Sequence, residues 1–201
     1  MSNTELTSGN VILIGGASCV GKSSVSYVIS RKTGIGVTEV DDFQIVLEEM
    51  TNEKDYPVLH YWKNHFDEAI KLPENSKVKI MIDYANIMSI ALERVIENHL
   101  ETDRPLLLEG DFITPELAAR SKYGKQLREH KVKSVFIIET EEEQIQKNLF
   151  NREGYYQNDR ARTNWLYNEW LKEQTAIHNI QTINARPWST VVDRVCKSLN
   201  I

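Results

Sequence analysis

Val11-Ile12-Leu13-Ile14-Gly15-Gly16-Ala17-Ser18-Cys19-Val20-Gly21-Lys22-Ser23-Ser24 is the stretch on which the rest of the chain depends. Four apolar residues read as a buried strand, and a turn bracketed by Gly16 and Gly21 follows. Ser23 to Thr33 then has the periodicity of a helix. Such a turn aims successive backbone N–H groups at a phosphate chain, with Lys22 reaching the outer phosphates and the Ser23 hydroxyl facing a magnesium ion. This is a Walker A pattern. Its strand-turn-helix context places the phosphates at a helix N-terminus, where the dipole favours anions. Gly16, Ala17, Ser18, Cys19, Val20, Gly21, Lys22, Ser23 and Ser24 are therefore the expected nucleotide-binding residues. Cys19 is read as a small side chain turned away from the phosphates.

Outward from that turn, Gly34 and Gly36 close the first helix, and Val37 to Val40 reads as a second strand ending at Asp41-Asp42. Phe43 begins a helical region that runs to about residue 104. Its longest piece is expected from Val78 to about Leu100, with Tyr84, Met88 and Ile96 on a buried stripe. Pro105 to Leu108 reads as a buried parallel strand ending in Glu109-Gly110-Asp111. Thr114-Pro115 opens a helix expected to continue to His130, because threonine at the N-cap with proline next is a start signal. Val132 to Ile138 is the fourth strand, and Glu141 to Phe150 a helix. Asn151 to Tyr156 interrupts the pattern, and helical spacing resumes at about Arg162. Thr182 to Asn184 is the fifth strand, and Ser189 is the expected cap of the last helix.

Alternating strands and helices imply an α/β parallel sheet covered on both faces, with ligands outside the carboxyl ends of the strands. The chain has 201 residues, 41% hydrophobic and 26% charged, which suits one globular domain. A formal charge of -5 argues against a nucleic-acid partner. No apolar run is long enough for a membrane span, and Met1 to Asn10 lacks a signal-peptide pattern, so a cytoplasmic protein, monomer or homodimer, is expected. Cys19 and Cys196 have no metal-ligand spacing.

With the phosphate turn, Asp41-Asp42-Phe43, and Leu107 to Asp111 through Pro115 in view, the chain resembles the P-loop small-molecule kinases of the nucleoside-monophosphate-kinase-like group. The first and third stretches are similar to 2-phosphoglycerate kinases. The second resembles uridine and nicotinamide riboside kinases, and chloramphenicol phosphotransferase has a related arrangement. The resemblance implies a three-layer P-loop fold with a five-stranded parallel sheet, a helical substrate-binding insertion over about 43–104 and a mobile lid over about 151–162. It implies ATP and Mg²⁺ as cofactors and a small-molecule hydroxyl as acceptor. Asp41 becomes the base, the lid contributes Arg152, Arg160 and Arg162, and the loop of Arg186, Pro187 and Trp188 holds the adenine.

Several readings stay open from residues alone. Asp41 is either the base or, with Gln44, part of a capping box, and Asp42 is the cap if Asp41 is the base. Glu109 holds metal-bound water or a substrate hydroxyl, or it caps the helix that Thr114 opens. His60, Trp62 and His65 read as core or surface residues. Lys63, Lys79, Arg94 and Arg120 are candidates for an anionic acceptor. The alternative to a kinase is a nucleotide-binding regulatory ATPase or switch. Against it stand the long helical insertion and the lack of a guanine-reading Asn-Lys-x-Asp element.

Overall fold

The computed structural model describes residues 11–201, so the Met1 to Asn10 reading lies outside the described residues. Strand β1 (Val11–Gly15) leads through the glycine turn into α1 (Lys22–Thr33), and β2 (Val37–Glu39) leads into α2 (Val40–Met50). The helical region continues with α3 (Pro57–Asn64), α4 (Phe66–Ala69) and α5 (Glu74–Glu101). After β3 (Leu106–Gly110) come the short α6 (Pro115–Ala119) and a hairpin of β4 (Lys122–Tyr123) and β5 (Gln126–Leu127). The chain then passes through β6 (Val132–Ile138), α7 (Glu142–Glu153), α8 (Asn158–Ile177) and β7 (Thr182–Asn184). A single 3₁₀ turn, Trp188–Thr190, precedes α9 (Val191–Leu199).

The main sheet has five strands in the order β2-β3-β1-β6-β7, all parallel. β1 and β3 are buried along their whole lengths, which is why both are uninterrupted apolar runs until the ends that meet the site. Burying each large aliphatic side chain there contributes roughly 1.5–3 kcal/mol. Helices α1 and α9 pack together on one side of the sheet, and α5 and α8 on the other. The expected three-layer α/β fold is present.

Register fixes the site. Ile14 pairs with Glu109 and Gly15 with Gly110, so the carboxyl end of β3 lies beside the start of the phosphate turn. Thr114 caps α6 as expected, its Oγ1 accepting from the Leu117 N–H at 3.1 Å.

Four expectations need correction. Helix α6 stops at Ala119 instead of reaching His130. The Tyr123 ring is buried with its hydroxyl donating to the Leu117 carbonyl, and Glu93 and Glu97 on α5 accept the Gly124 and Lys125 N–H groups, so the β4–β5 hairpin is tied down where a helix was expected. Asp41 and Asp42 are not at a strand end. Helix α2 starts at Val40, and both aspartates lie in its first turn, where Glu39 is the N-cap and makes no side-chain capping bond. Neither aspartate is therefore the cap, and Gln44 bonds Glu48 instead of completing a box. The break in the arginine-rich stretch is narrower than 151–162. Gly154, in the left-handed conformation that ends helices, stops α7, and α8 begins only four residues later. Finally, Ser189 belongs to the 3₁₀ turn, and α9 starts after Thr190 with no side-chain cap.

Candidate functional site

The turn from β1 to α1 depends on its glycines. Gly16 and Gly21 have φ of 146° and 97°, values that favour glycine. A side chain at Gly16 would strike the Ile137 carbonyl oxygen, and one at Gly21 would strike the Trp188 ring. The backbone is thus held close to β6 on one side and to the loop after β7 on the other.

Above this turn opens a cleft of about 590 Å³ lined by Ser18 to Ser24, Asp41, Glu109 to Asp111, Asn148, Asn151, Arg152, Arg186 and Trp188. Lys22 is 6% exposed. Its Nζ donates to the Ala17 carbonyl at 2.9 Å and pairs with Asp111. Burial alone would depress the ammonium pKa, but Asp111, Glu109 and Asp41 outweigh it and raise the pKa, so Lys22 is held as a cation. Glu109 is 3% exposed. Its pKa is raised by that burial, against the opposing pull of Lys22 and a hydrogen bond with Ser23. Asp41 is also raised, first by desolvation and next by the Asp111 charge. Three carboxylates and one ammonium thus meet at the carboxyl edge of the sheet, on an α1 N-terminus whose dipole attracts anions.

The flanks are tied to the turn. Asn148 Nδ2 on α7 donates to the Cys19 carbonyl at 2.8 Å, while Cys19 packs against the small cluster of Ile145, Leu149 and Ala161. On the far side, the Arg186 guanidinium lies 5.7 Å from the centre of the Trp188 ring. Its Nε donates at 3.2 Å to Glu139, which is fully buried. Pro187 does not line the cleft, and its carbonyl accepts from Arg194 at 3.0 Å.

A second cavity, of about 850 Å³, lies under α3, α4 and the α7–α8 turn. It shares Ser18 and Asp111 with the phosphate cleft, so the two are neighbours that meet at those residues. Trp62, expected in the core or at the surface, lines this cavity, and Arg160 lines it rather than the phosphate cleft. Of the other arginine-stretch residues, Arg152 reaches the phosphate cleft and Arg162 pairs with Glu142. His60 is buried against Thr51, and His65 pairs with Glu53.

The basic residues left open in the sequence are all committed elsewhere: Lys63 to Glu49, Lys79 to Asp83, Arg94 to Glu97 and Arg120 to Glu93. Lys77, which the sequence reading passed over, is in the second cavity instead. Asn148, Asn151 and Arg152 come onto one face of a helix because α7 runs to Glu153, past the expected end at Phe150. Asp111 stands two residues beyond Glu109, a signal for the same side of an extended chain. Among the described residues, no group of three or more His, Cys, Asp or Glu is placed to hold a metal ion by itself, and no helix is long and apolar enough to cross a membrane.

No protein-family model matches the chain. A 2-phosphoglycerate kinase from Methanothermobacter thermautotrophicus is 22% identical over 210 aligned residues, covering 94% of this chain and 65% of that protein. The 2-phosphoglycerate kinase from Methanopyrus kandleri is 23% identical over 201, covering 92% of this chain and 59% of that one. The chain thus spans less than two thirds of either relative. Among solved structures, a gluconokinase from Sinorhizobium meliloti 1021 superposes with a TM-score of 0.51 at 17% identity, covering 96% of this chain and 93% of that one. A sugar kinase from Janibacter does so with a TM-score of 0.53 at 13% identity, covering 96% and 95%. The expected resemblance to P-loop small-molecule kinases holds, in sequence to the first two proteins and in fold to the others.

Proposed function

We propose that the protein is an ATP-dependent kinase that transfers the γ-phosphoryl group to a hydroxyl of a small-molecule acceptor. The observation that carries this reading is the junction of the two cavities. A phosphate cleft that borders, at Ser18 and Asp111, a second chamber of acceptor size supplies two binding places that meet at one point. A regulatory ATPase or switch needs no such chamber, and the named relatives are kinases.

Phosphoryl transfer asks mainly for positioning and charge neutralisation. The turn N–H groups and the α1 N-terminus would hold the β- and γ-phosphates, and Lys22 would exchange its contact with Asp111 for the phosphate oxygens. The residues fit a magnesium ion, because the Ser23 hydroxyl and the buried Glu109 carboxylate lie together at the cleft floor. Mg²⁺ would supply charge neutralisation on the phosphates. Asp41, made more basic by desolvation and by Asp111, would take the acceptor proton. Arg152 would face the transferred group from the end of α7, and Arg160 the acceptor. The α7–α8 turn would act as the lid that excludes water. Trp188, with Arg186 over its ring, would border the adenine.

The test is ADP formation over pooled hydroxyl-bearing metabolites, scored against the rate without acceptor. Acceptor-dependent ADP is expected.

A further inference from the structure

The second cavity has a chemical character that narrows the acceptor. Its walls include Trp62, Phe66, Met81, Phe112, Tyr155 and Tyr156, drawn from α3, α4, α5, the end of β3 and the α7–α8 turn. Phe66, Tyr155 and Tyr156 are exposed, so large apolar surface is left facing water around the mouth. An apolar rim of this kind marks a surface that is covered when occupied.

The charges in the cavity are two cations, Lys77 and Arg160, and two carboxylates, Asp111 and Asp159. Arg160 is already engaged by Glu153 and Gln157. Lys77 is 6% exposed and, among the described residues, pairs with no carboxylate. Its ammonium therefore has no counter-charge of its own in the cavity, and an anionic group on an occupant would supply one. Two amides in the same wall add to this demand. Gln157 Nε2 and Asn164 Nδ2 are buried without a hydrogen-bond partner, and Asn164 is 5% exposed. Buried polar groups are nearly always paired, so both call for an acceptor atom that the protein itself does not provide.

We propose that this cavity takes an alcohol with a ring-sized apolar body and one anionic group held at Lys77, rather than a small polyanionic acid. A molecule carrying both a phosphate and a carboxylate on a three-carbon frame would bring more negative charge than one uncommitted cation can balance. It would also leave the aromatic walls uncovered. The proposal rests on the kinase reading for the fate of the hydroxyl. The alcohol oxygen bonds to the γ-phosphorus, and the bond from phosphorus to its bridging oxygen breaks. ADP leaves with the electron pair, and the alcohol proton passes to the Asp41 carboxylate.

The test measures binding without nucleotide, by calorimetry, so that it stands apart from catalysis. The probes are 3-phenyllactate and 4-(hydroxymethyl)benzoate as aromatic monoanions, benzyl alcohol as the uncharged control, and 2-phosphoglycerate as the small polyanion. At least one aromatic monoanion should bind ten-fold or more tightly than both benzyl alcohol and 2-phosphoglycerate. Lys77→Met, which keeps the side-chain volume, should weaken that binding at least ten-fold with ATP affinity unchanged. If that variant does not fold, Trp62→Leu should weaken it as much. Tighter binding of 2-phosphoglycerate, no binding of either aromatic monoanion, or binding that ignores the variant overturns the proposal. Aromatic binding that depends on Lys77 but yields no phosphate ester with Mg²⁺ and ATP leaves the cavity assignment standing and removes the kinase reading.

Discussion

Lys22 Nζ is bound at once by the Ala17 carbonyl and the Asp111 carboxylate, one from its own phosphate turn and one from the end of the neighbouring strand. That pairing gives a buried ammonium two partners before any phosphate arrives. In the proposed reaction Lys22 is the fixed cation of the cradle. Lys22→Ala should lower kcat/KM by on the order of 10²–10³-fold or more and weaken ATP binding. Steady-state kinetics and calorimetry check this, and turnover near the wild-type level would remove Lys22 from the chemistry.

Trp188 lies on Gly21, where any side chain would collide with its ring. Nucleotide binding should therefore change Trp188 fluorescence, and Trp188→Phe should abolish most of that change. If the full signal persists, the reporter is one of Trp62, Trp165 or Trp170, and the loop after β7 does not border the adenine. Gly21→Ala should cost about 1–3 kcal/mol from strain at its φ alone, with the ring collision added.

Asp41 and Asp42 share the first turn of α2 but not the same surroundings, because only Asp41 lines the phosphate cleft. Asp41→Asn should lower kcat by on the order of 10²-fold or more, with little change in ATP affinity or Tm. Asp42→Ala should leave turnover intact and cost less than about 1 kcal/mol, the size of a lost helix-dipole interaction. Because desolvation and Asp111 raise the Asp41 pKa, the acid limb of the pH–kcat profile should lie above the range of an ordinary aspartate. Loss of turnover in Asp42→Asn with activity kept in Asp41→Asn would reverse the assignment.

Glu109 is favoured in its protonated form by burial, so the folded state holds a proton more tightly there than the unfolded chain does. Stability from this group is therefore gained as pH falls through the folded pKa and lost as pH rises past it. Glu109→Gln should raise Tm at neutral pH, by roughly 2–4 °C if the relief is about 1 kcal/mol. The gain should vanish in acid, where Glu109 is protonated in both states. Activity should fall at the same time, since the carboxylate is proposed to act beside Ser23. A lower Tm at neutral pH would mean that Lys22 and Ser23 stabilise the charged form more than burial penalises it.

The parallel core was legible because its strands are uninterrupted apolar runs, and Val132 to Ile138 matches its observed bounds for that reason. The phosphate turn was legible because its glycines answer to backbone geometry, which local sequence reports. The β4–β5 hairpin was not, because it is held by Glu93 and Glu97, some thirty residues earlier in the chain. Local periodicity carries no trace of such a tie. The Asp41-Asp42 pair was misplaced by one residue of strand, enough to replace strand alternation with a helical turn. The second cavity was least legible, because its walls converge from elements far apart in the chain, from the phosphate turn to α8. Lys77 read as one more lysine on a helix until the fold buried it.

Phosphate transfer itself is the most direct test of the central claim. With Mg²⁺ and ATP labelled at the γ-phosphate, ADP, inorganic phosphate and acceptor-bound phosphate should be quantified together, with and without the acceptor pool. Kinase chemistry at the junction of the two cavities predicts ADP that rises with acceptor and is matched one for one by a new phosphate ester. That signal should be lost in Lys22→Ala and strongly reduced in Asp41→Asn. ADP matched instead by inorganic phosphate, at the same rate with or without acceptor, would contradict it.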